Sequence, residues 1–228
     1  MRTRTILFQT LFLAVTFVFL AIWSWRKTAD IFIDFGLQLY LPWQLASGKL
    51  LYRDVAYLPG GPFSPYFNAM LFKWFGVSFT TLILANLAIA VLMLSVLFRF
   101  FEKISTSICA TAVCFSVLSM FTFSELAPGG NYNYVSPYSH DALHGLMFSI
   151  LAVWLFSRWI LERSTVSIFL AGLCVGVVFL TKPDVFLAIF LTAVVAFAIH
   201  TLRNTNKLSS LKSAGWFVLA GAIPPVIA

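Results

Sequence analysis

Thr80–Phe98, TTLILANLAIAVLMLSVLF, runs for 19 residues without a formal charge. A helix needs about 20 mostly apolar residues to cross a bilayer, so this stretch reads as a membrane span and sets the fold class. Outward from it, apolar runs of comparable length recur at Ile6–Trp25, Ile104–Phe123, Ala142–Ile160, Val166–Thr181 and Val185–Thr201, and a further one starts at Ala214. The expected architecture is all-α, a polytopic transmembrane helix bundle of about seven spans. Val166–Thr181 and Val185–Thr201 are parted only by Lys182-Pro183-Asp184. Proline favours a break there; one long broken element is the alternative.

Composition excludes a soluble domain. Hydrophobic residues make up 61% of the chain and charged ones 10%, against about 45–50% and about 25% in soluble domains. The net charge of +7 does not point to nucleic acid, because the basic residues lie at span ends, where membrane topology accounts for them. Cys109, Cys114 and Cys174 lie in apolar spans without a CxxC pair and read as buried, inert thiols. The basic MRTR followed by Ile6–Trp25 has the charge order of a signal peptide. Its apolar run is too long for one and no small-residue cleavage site follows, so it reads as an uncleaved signal anchor.

Lysine and arginine set the orientation. Arg2, Arg4, Arg99, Lys103, Arg158, Arg163, Arg203, Lys207 and Lys212 crowd the short connections on one side. That side is expected to be cytoplasmic, with the N-terminus. The acids divide the other way: Asp30, Asp34, Asp54, Glu125, Asp141 and Asp184 fall on the outer side. Acids contribute little to topology, so this bias suggests that the outer face carries the chemistry. Two outer loops are expected, residues 26–79 and 124–141, on one membrane domain covering 1–228. In the first, Leu37–Ala46 and Pro65–Phe75 have helix-compatible patterning. Trp43, Tyr52, Tyr57, Tyr66 and Trp74 are suited to anchor it at the interface.

Several residues could carry that chemistry, each with a structural alternative. Asp34 lies just past the first span, where a carboxylate could act as general base toward a lipid-borne electrophile; it could equally pair with Arg26 or Lys27. Asp30, a helical turn away, has the same options. Lys49 and Arg53, in ASGKLLYRD, suit a phosphate or lipid headgroups, and Asp54 could hold the Arg53 guanidinium in place. Ser139, His140 and Asp141 carry the letters of a hydrolytic triad, but consecutive residues cannot adopt its geometry. His140 and His144 have i,i+4 spacing that could seat a divalent metal. The simpler account makes Ser139 an N-cap and Asp141 a first-turn acid, and no metal or other cofactor is expected. Asp141 is a candidate substrate contact. Lys182, between apolar runs, either snorkels or meets an anion such as a phosphate.

The stretch DFGLQLYLPWQLASGKLLYRDVAYLPGGPFSPYFNAMLFKWFGVSFTTLILANL, Asp34–Leu87, resembles the N-terminal region of the GT-C type integral-membrane glycosyltransferases. The nearest likeness is to bacterial proteins related to the protein mannosyltransferases and lipid A aminoarabinose transferases. The shared features are an acid after span one, a following tyrosine, Gly48 with Tyr52-Arg53-Asp54, Gly61-Pro62-x-x-Pro65-Tyr66, and Phe75-Gly76 before span two. NYNYVSPYSHDALHG (131–145) and FLTKPDVFLA (179–188) also fit the group. The resemblance implies inverting sugar transfer from a polyprenyl-phosphate donor to an acceptor at the outer face of the inner (cytoplasmic) membrane. Asp34 would be the catalytic base, with Asp30 as runner-up. Arg53, Lys182 and Lys49 would hold the departing phosphate, and Asp141, with His140, would bind substrate. Phe35 stands where the family carries a Glu after the Asp. Relatives continue beyond this length, so the chain is expected to be the N-terminal part of a longer enzyme. The alternative is a non-enzymatic transporter or lipid-binding protein with a polar outer gate. Transporters, however, place charges at mid-bilayer and show repeats, and neither is visible here.

Overall fold

The computed structural model describes residues 2–25, 27, 35–124, 133–203 and 207–228. These residues fold almost entirely into helices: α1 (Arg2–Trp23), α2 (Gly36–Ala46), α3 (Phe63–Phe75), α4 (Phe79–Ile104), α5 (Ser107–Val117) continued by a π-helical turn (Leu118–Thr122), α6 (His140–Glu162), α7 (Thr165–Phe179), α8 (Pro183–Arg203) and α9 (Lys207–Ile227). Five of them, α1, α4, α6, α8 and α9, are long and apolar enough to cross a bilayer. By length and composition these are the helices of a membrane protein. Two of the expected spans are shorter apolar helices, Ser107–Thr122 and Thr165–Phe179.

The chain divides into two compact units, Met1–Ser47 with Asn68–Ser139, and Gly48–Phe67 with His140–Ala228. In the first, Ile83, Leu118, Phe123 and Val135 form a core, with Leu13 and Phe17 of α1 packed against it. Asn86 sits within the α4 span and is 1% exposed. Its amide donates to the Val135 carbonyl at 3.0 Å, which answers the cost of a polar group inside an apolar segment and fastens residues 133–136 to α4. The helix starts are capped as their sequences dictate. Ser78 accepts from the Thr81 N–H, Thr106 from Cys109 and Ser164 from Ser167.

The short helices expected from Leu37–Ala46 and Pro65–Phe75 are present as α2 and α3. On α2, Leu37, Tyr40 and Trp43 form an exposed stripe, while Gln38, Leu41, Gln44 and Leu45 are buried. An i, i+3, i+6 row of exposed apolar and aromatic side chains is what a helix lying in the interface presents. Tyr66 and Trp74 are likewise exposed on α3. Tyr57 departs from the expectation: it is 4% exposed, hence no interfacial anchor.

In the second unit α6, α7, α8 and α9 share one core, with Trp159, Ile168, Val175, Ile189 and Phe217 among its members. Helix α7 meets α9 backbone to backbone through Gly172 and Gly176. A Cβ on Gly172 would lie 2.9 Å from the Ala220 Cβ, and one on Gly176 would lie 3.0 Å from the Gly221 carbonyl carbon. Small residues four apart are how helices approach closely where lipid offers no hydrophobic drive. Helix α7 stops at Phe179 and α8 restarts at Pro183, a first-turn position that suits proline. The break at Lys182-Pro183-Asp184 is therefore real, and the one-element alternative is excluded.

Candidate functional site

Of the candidate residues, Lys49, Arg53, Asp54, His140, Asp141, His144 and Lys182 lie in the second unit. Asp34 and Asp30, the expected base and its runner-up, lie outside the described residues.

The site begins with a strained turn. Tyr52 has φ of 65°, a left-handed conformation that costs a bulky residue about 1–2 kcal/mol. Neighbouring bonds hold it there. Tyr52 N–H donates to Val55 O at 2.8 Å and Asp54 N–H to Leu50 O at 2.9 Å. The Asp54 carboxylate accepts from Leu50 N–H at 2.9 Å and takes both Arg53 Nε and Nη2, at 3.0 and 2.9 Å. The Arg53 bond first, and the Leu50 amide second, push the Asp54 pKa down to about 2, with Lys49 adding to the attraction. Arg53 is raised in return, chiefly by the Asp54 bond. Lys49, Arg53 and Asp54 thus form one exposed, basic turn. The idea that Asp54 holds the Arg53 guanidinium fits this geometry.

Two bonds tie this turn to the chain between Gly60 and Tyr66. The Leu51 N–H donates to the Tyr66 hydroxyl at 3.2 Å, and the Tyr52 hydroxyl donates to Gly60 O at 3.3 Å. The Gly60-Gly61-Pro62 segment then docks on the end of α7. Gly61 N–H donates to Thr181 O and Phe63 N–H to Leu180 O at 3.0 Å, satisfying carbonyls that a helix terminus leaves open. Glycine is needed at Gly61, which faces backbone, and a larger residue at Gly60 would crowd a side chain. A Cβ at Gly61 would strike the Leu180 carbonyl, and one at Gly60 would sit 2.6 Å from Asp141 Cγ.

Asp141, in the first turn of α6, is 1% exposed. The Tyr57 hydroxyl donates to its Oδ2, while Oδ1 has no hydrogen-bond partner among the described residues. Ser64 lies beside it and pairs with His144 Nδ1 at 2.9 Å. His144 Nε2 is also buried without a partner among the described residues; the Phe63 and Phe67 rings meet its imidazole edge to face at 6.0 and 5.1 Å. The Lys182 side chain is 23% exposed, with its ammonium 3.7 Å from Asp184 Oδ2 and close enough to act on the Asp141 charge. Asp141 also reaches Tyr52, whose pKa is raised first by burial and second by that carboxylate.

Asp141 and Lys182 are thus brought together, with Tyr52 linking them to the basic turn. Asp141 and His140, the expected substrate contacts, are both 1% exposed, with Tyr57 and Gly60 against Asp141. His140 lies against His144, ring centroids 5.8 Å apart. Among the described residues no three His, Cys, Asp or Glu side chains are grouped to hold a metal. Sequence reasoning missed Tyr57, Ser64 and the bonded role of His144. Ser64 and His144 stand 80 residues apart, and only the glycine pair hinted at a close approach.

No family model matches the chain, and no curated protein or solved structure matches it significantly.

Proposed function

We propose that this membrane protein is an inverting glycosyltransferase that takes a sugar from a polyprenyl-phosphate donor at the extracytoplasmic face of the inner membrane. The observation that carries this reading is the docking of the Gly48–Phe67 segment onto Asp141 beside Lys182. It gathers an acid with an unspent oxygen, a partly exposed lysine and a basic turn at the ends of apolar helices.

In this scheme Asp34 removes the proton of an acceptor hydroxyl or amide. The freed pair attacks the anomeric carbon from the face opposite the phosphate. The bond from that carbon to the phosphate oxygen breaks, and its electrons leave with the lipid phosphate. Lys182, Arg53 and Lys49 supply positive charge to the departing phosphate. Arg53 must exchange part of its Asp54 pairing to do so, which an exposed ion pair permits at low cost. Asp141 holds Tyr57 and the glycine turn in place, and touches the sugar only when that segment lifts. The N-terminus lies on the cytoplasmic side, as the lysine and arginine distribution suggests.

The test is sugar transfer from a polyprenyl-phosphate donor in membranes at equal expression. General-base catalysis contributes about 10²–10⁴-fold, so Asp34→Asn loses transfer by that order while insertion is unchanged, and Asp30→Asn loses far less. The opposite result reassigns the base to Asp30. Full activity in both variants rejects the enzyme reading.

A further inference from the structure

The first unit holds a cavity of about 410 Å³ between α1 and α4, within the roughly 300–1,000 Å³ range of ligand sites. Its walls include Leu13, Ala14 and Phe17 of α1 with Val91 and Leu94 of α4, and Arg99 stands at one end. The two helices run antiparallel, since Ala21 and Ser24 line a separate small cleft with Ile83 and Leu87. The wall hydroxyls are spent on their own helices. Thr10 donates to Ile6 O at 3.0 Å and Ser95 to Val91 O at 2.7 Å. The groove is therefore apolar along its length and cationic at its mouth. Arg99 is exposed and has no hydrogen-bond or ion-pair partner among the described residues.

Depth selects the occupant. Residues 79–98 carry no charge, and at 1.5 Å per residue they span about 30 Å, the thickness of the hydrocarbon core. Arg99 thus sits at the edge of the core. Val91, eight residues back, lies about 12 Å deep, close to the midplane. A groove one leaflet deep with an unpaired guanidinium at the headgroup level matches an acyl chain with its phosphate. A polyprenyl chain of many isoprene units would overrun it. We infer that the α1–α4 groove binds one phospholipid, an acyl chain along Ala14 and Leu94 and the phosphate on Arg99. This site is independent of the transferase reading.

Native mass spectrometry of the full chain, delipidated in detergent, tests it. The probes are phosphatidylglycerol, a diacylglycerol with the same chains, and a polyprenyl phosphate. Wild type retains one phosphatidylglycerol in preference to diacylglycerol. Arg99→Gln weakens phosphatidylglycerol retention by roughly fivefold, the contribution of one interfacial cation, and leaves diacylglycerol unchanged. Ala14→Phe, which fills the groove with a side chain that lipid tolerates, weakens both while the helical melting curve is unchanged. Arg203→Gln, a cation outside the groove, changes neither. Equal retention of the two lipids by wild type overturns the proposal. So does unaltered retention in Ala14→Phe, or displacement of phosphatidylglycerol by equimolar polyprenyl phosphate.

Discussion

Asp54 and Asp141 belong to one unit of the fold and have opposite fates. Asp54 is on an exposed turn with its acceptors used: two bonds from Arg53 and one from the Leu50 amide. Asp141 is buried, takes the Tyr57 hydroxyl on one oxygen and keeps the other without a partner among the described residues. A carboxylate whose hydrogen bonds are complete in water holds a turn together and offers little more. One kept from water with an unmet acceptor is costly, and such costs persist where a site needs them. The difference makes Asp141, and not Asp54, the acid on which the proposed transfer should depend more.

Crowding Asp141 is the strongest way to break that contrast. Gly60→Ala places a methyl group against its carboxyl carbon, so Tyr57, Asp141 or the glycine turn must shift. Overpacking of this kind costs about 1–3 kcal/mol. The expected outcome is a lower thermal midpoint and loss of most sugar transfer. Asp141→Asn, which keeps an acceptor for Tyr57, should lower the midpoint less. If Gly60→Ala melts and turns over like wild type, the docking of this segment on Asp141 has no functional weight.

An intermediate effect belongs to the exposed turn. Burial plays little part at Asp54, and its bonds hold its pKa at about 2 against an ordinary 3.8. A depressed pKa contributes stability that is complete above the ordinary value and is lost as pH falls through the folded one. Protection of the Leu50 amide, its exchange measured relative to the intrinsic rate at each pH, should therefore be full at pH 5 and fall as pH drops from about 4 to about 2. Asp54→Asn should remove this pH dependence and change transfer only modestly. A large loss of transfer in Asp54→Asn would make the turn, rather than Asp141, the critical acid.

How much of the fold and the site is legible in the sequence depends on range. The five long helices, α2, α3 and the Pro183 break follow from apolar run length, pattern and proline chemistry, all of them local. The Arg53–Asp54 pair joins adjacent residues and is legible for the same reason. The two expected spans that prove short are locally apolar, but composition cannot fix where a helix ends. Tyr57 reads as an interfacial anchor because a tyrosine suits both an interface and a buried acid, and only the partner 84 residues away decides between them. Ser64 and His144 give no signal for the same reason. The spacing of Gly172 and Gly176 is in plain view, yet its meaning requires knowing that α9 passes against α7.

The smallest expected effect links the two acids through one phenol. Tyr52 sits on the Asp54 turn, yet its pKa is raised above the ordinary 10.0 first by burial and second by the charge of Asp141. A raised folded value means the neutral phenol is favoured, so its contribution to stability is complete below pH 10 and is lost as pH climbs through the folded pKa. The ultraviolet titration of Tyr52, isolated as the difference between wild type and Tyr52→Phe, should lie above that of a free tyrosine. Asp141→Asn should bring it down only part of the way, because burial remains and only the second cause is removed. Asp54→Asn should leave it in place, since the Asp54 charge is already spent on Arg53. A Tyr52 titration that follows Asp54 and ignores Asp141 would reverse the contrast between the two acids.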